Sequence, residues 1–148
     1  ADCLREKGPK TFLKPGDPVP EESLRGTGVY LSSNGDITAK QAWGKRARWM
    51  VLQGVKHGKV VGIVIYNHPE SLNYPTYWHI RNYGLFSANP LGQGDFQRQD
   101  DYQKNQVIPL KLTLKKGEKV HFRFLVVAYE GAKTPQDFET QFKRFEKQ

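Results

Sequence analysis

Between Tyr66 and Gly92 the chain reads YNHPESLNYPTYWHIRNYGLFSANPLG, its densest run of side chains able to bind a ligand or move a proton. His68 and His79 bracket a loop bounded by Pro69 and Pro75. Asn67, Tyr77, Trp78, Arg81 and Tyr83 stand around them. In an extended strand alternate residues share a face. Tyr77, His79, Arg81 and Tyr83 then point one way, and Trp78, Ile80 and Asn82 the other. A face of imidazole, guanidinium and two phenols is costly to bury without partners, so it suits a polar pocket or a wet surface.

Three chemistries fit such a face. Aromatic rings can lie on the C–H surfaces of a sugar while Arg81, Asn67 and the histidines bond its hydroxyls or carboxylates. His79, with His68 beside it, is then the candidate general acid or base. Metal binding would need ligands from elsewhere, because two histidines eleven positions apart match no compact ligand motif. No metal ligand is assigned on this basis and no cofactor is specified. In the third reading the rings satisfy one another and Asn67-His68-Pro69 is a rigid turn. Glu70 is the only acid close to the segment.

The rest of the sequence adds little chemistry. It has no Gly-x-Ser-x-Gly nucleophile turn, phosphate loop or Cys/His zinc pattern. Asp95, Asp100 and Asp101 fall in a polar stretch and make no convincing catalytic pair. His57 and His121 read as surface histidines. The single cysteine, Cys3, reads as an incidental thiol with no internal disulfide partner.

The elements that must position the segment follow from pattern. The 148 residues fit one domain, able to bury roughly two-thirds of the surface its unfolded chain exposes. Hydrophobic residues at 37% and charged residues at 26% are values of a globular chain. No apolar run approaches the ~20 residues of a membrane helix. The chain starts without methionine or an apolar leader, which reads as a processed or excised product. A formal net charge of +8 attracts anions in general. The cations are scattered in small clusters such as Lys45, Arg46 and Arg48 or Lys115, Lys116 and Lys119. That is the pattern of a solvated face, and it disfavours nucleic acid as the partner.

Residues 1–28, with Pro9, Pro15, Pro18 and Pro20, read as an extended arm. A strand is expected at Val29–Ser32, then a turn at Asn34-Gly35. Trp43–Leu52 and Lys59–Asn67 alternate as a hairpin joined by Gly54–Gly58. Tyr77–Ser87 is expected as one strand, 93–106 as a polar loop, and Val107–Leu114 and Lys119–Tyr129 as strands around a Lys116-Gly117 turn. In the last strand Val120, Phe122, Phe124, Val126 and Ala128 share one face, and Leu125, Val127 and Tyr129 lie on the other. Thr134 suits an N-cap, Pro135 the first helical position and Asp137 the first turn. Phe138, Phe142 and Phe145 then form one apolar face of a helix over 135–147. These patterns predict an all-β domain over 29–148, an antiparallel β-sandwich or half of a larger supersandwich, with one C-terminal helix.

Three stretches carry a family resemblance: WGKRARW (Trp43–Trp49), GIVIYNHP (Gly62–Pro69) and YPTYWHIRNYGLFSANPLG (Tyr74–Gly92). Their order and spacing resemble the C-terminal part of the PmoA-like family of secreted bacterial proteins, over about Val29 to Tyr129. The resemblance implies a galactose-mutarotase-like β-sandwich, carbohydrate-related work and a secreted or periplasmic location. His68, Trp78, His79, Arg81 and Tyr83 match its motif positions. Asn67 stands where an Asp is common, and Glu70-Ser71-Leu72-Asn73-Tyr74 replaces an Asn-Pro-Arg type loop. Members are longer than this chain, so a missing N-terminal half, a second copy or another chain is the expected partner. The first reading is a protein, possibly catalytic, that handles a sugar or glycoside through a His/Arg/aromatic pocket. A non-catalytic sugar-binding or scaffold module and a basic anion-binding module are the alternatives.

Overall fold

The computed structural model describes residues 4–6, 11–21, 26–99 and 107–148. In chain order the elements are β1 (Val29–Ser32), α1 (Ala39–Ala42), β2 (Trp49–Lys56), β3 (Lys59–Asn67), β4 (Tyr77–Ile80), β5 (Phe86–Asn89), α2 (Gln93–Gln99), β6 (Phe124–Glu130) and α3 (Pro135–Phe145). One antiparallel sheet has the order β1-β2-β3-β6, and β4 pairs with β5 in a second, two-stranded sheet. The fold is therefore mostly antiparallel β with one C-terminal helix, in a sandwich-like arrangement.

The β2–β3 hairpin is the centre. β3 is rich in β-branched residues that fit a pleated, buried surface. His57 and Gly58 both take positive φ, +50° and +69°, and close the hairpin in two residues. That register sets Val51 against Val64 and Met50 against Ile65. The first face buries Val29, Leu31, Trp49, Val51, Val64 and Tyr66 against Phe138, Phe142 and Phe145 of α3, with Phe12 alongside. The second face buries Tyr30, Met50 and Leu52 against Ala39 and Ala42 of α1 and Trp78 and Ile80 of β4. Each large aliphatic or phenylalanine side chain among these, fully buried, contributes roughly 1.5–3 kcal/mol relative to exposure.

α3 begins as the sequence predicts. The Thr134 hydroxyl accepts from the Asp137 N–H, and the Asp137 carboxylate accepts from the Thr134 N–H, a reciprocal capping box. Bonding from the Thr134 backbone and hydroxyl holds the exposed Asp137 carboxyl below its ordinary value.

Several segments differ from expectation. Tyr77–Ser87 is not one strand: it breaks after Ile80, where Gly84 donates to the Arg81 carbonyl and Arg81 to that of Leu85, and resumes as β5. α1 and α2 stand where no helix was expected, and residues 100–106 lie outside the described residues. Val107–Leu114 joins neither sheet. The last strand is confined to Phe124–Glu130. Its Leu125, Val127 and Tyr129 pack on the α3 side, and Val126 is 62% exposed. Periodicity identified the two faces of this strand but not which one the helix covers. From the N-terminal arm, Leu13 donates to the Gln53 Oε1 and accepts from its Nε2, and Glu6 donates to the Asn82 carbonyl.

Candidate functional site

Pairing and packing decide which way β4 presents its side chains. Tyr77 pairs with Asn89 and Ile80 with Phe86. The Trp78 ring stacks on Phe86 at 5.9 Å, and its Nε1 donates to the Ala47 carbonyl at 3.0 Å. Trp78 and Ile80 are thus core residues. Tyr77 and His79 take the opposite side of β4, as strand alternation requires, with Tyr77 buried there beneath other side chains, and Arg81 follows just past the strand's end.

Two aromatic side chains from elsewhere meet that side of β4. Trp43 follows α1, where a Thr38–Gln41 capping box starts the turn. The chain then runs beside β4: Gly44 donates to the Trp78 carbonyl at 2.8 Å, and Trp78 donates to the Lys45 carbonyl at 3.0 Å. Gly44 has φ +68°, and an added Cβ would press on Phe96, so this close passage needs glycine. Phe96 comes from α2 and is buried. Its ring stacks on Tyr77 at 5.5 Å and contacts Trp43 edge-on at 5.5 Å and His79 at 5.9 Å.

A cation caps each end of this ladder. The Arg46 guanidinium lies 4.9 Å from the Tyr77 ring centre, and that of Arg81 lies 4.8 Å from the Trp43 ring centre. Stacking of this kind is typical of arginine and contributes roughly 0.5–1 kcal/mol at exposed sites. The two arginines differ in what else they hold. Arg46 donates to the Pro75 carbonyl at 2.8 Å and to the Asn73 carbonyl at 3.0 Å, and also to the Asn73 side chain. Arg81 has no carboxylate partner among the described residues.

Arg81 and Trp43 wall a hollow of about 530 Å³, with Glu6, Thr38, Lys40 and Asn82 on its rim. Glu6 is buried, and its Oε2 accepts from the Ala39 N–H at 2.9 Å. The Trp43 Nε1 is buried without an acceptor among the described residues. Tyr30 anchors the backbone of the turn after β4: its hydroxyl is shared between the carbonyls of Arg81 and Leu85 at 2.9 and 3.2 Å. Burial, with lesser contributions from Glu6 and Tyr83, raises the Tyr30 phenol well above its ordinary value and keeps it a donor. A second hollow of about 310 Å³ lies over the other end of the ladder, lined by Asn34, Lys45, Arg46, Tyr77, Phe96 and Gln97.

The remaining sequence candidates are placed apart. His68 is buried beside α3, with its ring edge-on to Phe145 at 5.0 Å and its Nδ1 accepting from the Glu70 N–H at 3.1 Å. Asn67 is buried, and its Oδ1 accepts from the Thr76 N–H at 2.9 Å. Each keeps one unpartnered nitrogen among the described residues, His68 Nε2 and Asn67 Nδ2. Tyr83 sits in the β4–β5 turn, 59% exposed. His68 and His79 therefore have different surroundings: Phe145 of α3 for one, Phe96 of α2 for the other. Sequence reasoning missed Trp43 and Phe96. The usable signal was a lone phenylalanine in an otherwise polar stretch.

Among the described residues no group of three or more His, Cys, Asp or Glu could hold a metal ion, and no helix is long and apolar enough to cross a membrane. No curated protein and no solved structure matches the chain. One family model, described as a family of unknown function, matches residues 18–143, so the chain belongs to that family, DUF6807.

Proposed function

We propose that the protein is a carbohydrate-related β-sandwich that takes a saccharide in the hollow between α1 and the end of β4. The observation that carries this reading is the indole of Trp43 with the Arg81 guanidinium stacked 4.8 Å from its centre, at the wall of a 530 Å³ concavity. Ligand sites are concave, largely apolar and furnished with a few placed polar groups. A sugar has both C–H faces and hydroxyls, which match rings beside Arg81, Asn82, Lys40 and Thr38. The resemblance to PmoA-like, galactose-mutarotase-like proteins and the secreted location it implies belong to the same reading. The reading is of binding first, because His79 lines neither hollow and reaches Trp43 only through the Phe96 ring. If turnover occurs, His79 is its proton carrier.

Isothermal titration with a panel of neutral and acidic mono- and disaccharides tests the proposal. At least one sugar should bind, and Trp43→Ala or Arg81→Ala should weaken it at least about tenfold, roughly 1.4 kcal/mol. No binding by any member, or binding indifferent to both substitutions, overturns it. His79→Ala that stops turnover but keeps binding assigns catalysis.

A partner layer is proposed on a separate observation. Ile65 and its β6 neighbour Val126 share the second sheet face, yet Ile65 is only half-buried and Val126 is 62% exposed. An exposed apolar row on a sheet is a usual mark of an interface. Light scattering at high concentration tests a second copy in that place; a clean monomer removes it.

A further inference from the structure

We infer that the ligand is an acidic saccharide: Arg81 takes the carboxylate of a uronate unit. The inference rests on the saccharide reading above and goes beyond it in charge.

Charge is argued from how the arginines are used. Four arginines are half-buried among the described residues: Arg46, Arg48, Arg81 and Arg123. Arg48 is paired with Glu139 at 2.8 Å and Arg123 with Glu70 at 2.9 Å. Arg46 is engaged by the carbonyls of Asn73 and Pro75. Among the described residues Arg81 alone of the four has neither carboxylate nor carbonyl on its guanidinium, only the Trp43 ring. A guanidinium has a planar fork of N–H donors that a carboxylate accepts in two parallel bonds, and contact with a ring face leaves those donors unused. Lys40 adds a second cation on the same rim. The one acid there, Glu6, already accepts the Ala39 N–H.

The test is calorimetric titration of the full chain with glucuronic acid, digalacturonic acid, lactose and inorganic phosphate. Glucuronic acid and digalacturonic acid should both bind at least tenfold more tightly than lactose. Arg81→Ala should remove the preference for acid over lactose. Equal affinity for lactose and the two acids overturns the acidic assignment while the saccharide reading stands. Phosphate binding as tightly as glucuronic acid makes the site a general anion site and overturns both readings. Failure of every sugar does the same. Circular dichroism of Arg81→Ala confirms its fold; should it unfold, Arg81→Lys, which keeps the charge but loses the fork, must show the same loss of preference.

Discussion

Glu139 clamps α3 to the edge of β2, and replacing it with alanine gives a measurable prediction. Its carboxylate accepts from Trp49 Nε1 at 3.0 Å and from the Arg48 guanidinium at 2.8 Å. Trp49 is 3% exposed, so its indole N–H cannot turn to water when the acceptor is removed. Leaving a buried donor unsatisfied costs roughly 1–3 kcal/mol. The Arg48 pair, with partners 38% and 21% exposed, adds at most about 1 kcal/mol. Glu139→Ala should therefore lose about 2–3 kcal/mol, a large share of the ~5–15 kcal/mol typical of a domain. For a chain of this size that is a fall in Tm of roughly 4–12 °C. Urea unfolding followed by tryptophan fluorescence reads the loss directly. Glu139→Gln keeps an acceptor for Trp49 and should lose about 1 kcal/mol or less. In a Trp49→Phe background, Glu139→Ala should lose at least about 1 kcal/mol less than in the native chain, because the orphaned donor is gone. A loss below about 0.5 kcal/mol for Glu139→Ala, or equal losses for the alanine and glutamine variants, refutes the clamp. The pH dependence follows from the same bonds. Burial pushes the Glu139 carboxyl up, but the bonds from Trp49 and Arg48 and the nearby cations outweigh it, and the net shift is downward. A depressed folded value contributes stability above the ordinary glutamate range. That contribution is lost as pH falls through the folded value, and the alanine variant should show a correspondingly flatter acid limb.

Three further outcomes test other parts of the fold. Trp43→Phe removes a buried N–H that has no acceptor among the described residues, which offsets the lost ring area; stability should stay within about 1 kcal/mol of the native chain, and a loss above about 3 kcal/mol would show that this nitrogen has a partner. Gly62→Ala should lose about 1–3 kcal/mol in chemical denaturation, because its Cβ would overlap the Tyr129 ring lying across β3, and the same substitution made in a Tyr129→Ala background should lose less. Thr134→Ala removes the hydroxyl that caps α3 and should lower stability by about 1 kcal/mol in the same assay, with no effect on saccharide titration.

The elements that need only local information were legible in the sequence. The β2–β3 hairpin follows from alternation and β-branched density, although the turn, read over Gly54–Gly58, is confined to His57 and Gly58 and β2 runs over Trp49–Lys56 rather than Trp43–Leu52. The helix at the end follows from Thr134, Pro135 and the spacing of Phe138, Phe142 and Phe145, because capping and amphipathic period are properties of a few consecutive residues. Alternation also placed Tyr77, His79 and Arg81 on one side of a strand. It did not reveal that the strand ends at Ile80, since a run of turn-compatible and strand-compatible residues allows either, and the Tyr30 hydroxyl, 51 positions from Arg81, is what pins the turn. Nor could pattern show which histidines meet. His68 and His79 are near in the chain, yet the carbonyl of Arg123 and the ring of Phe145 hold one in the interior, while Phe96 stands over the other. The candidate hollow exists because Trp43, from a segment read as strand, and Phe96, from a segment read as loop, are carried onto the outer face of β4. The sequence determined which side chains could be offered; long-range packing decided which of them share a space, because that depends on contacts between residues far apart in the chain.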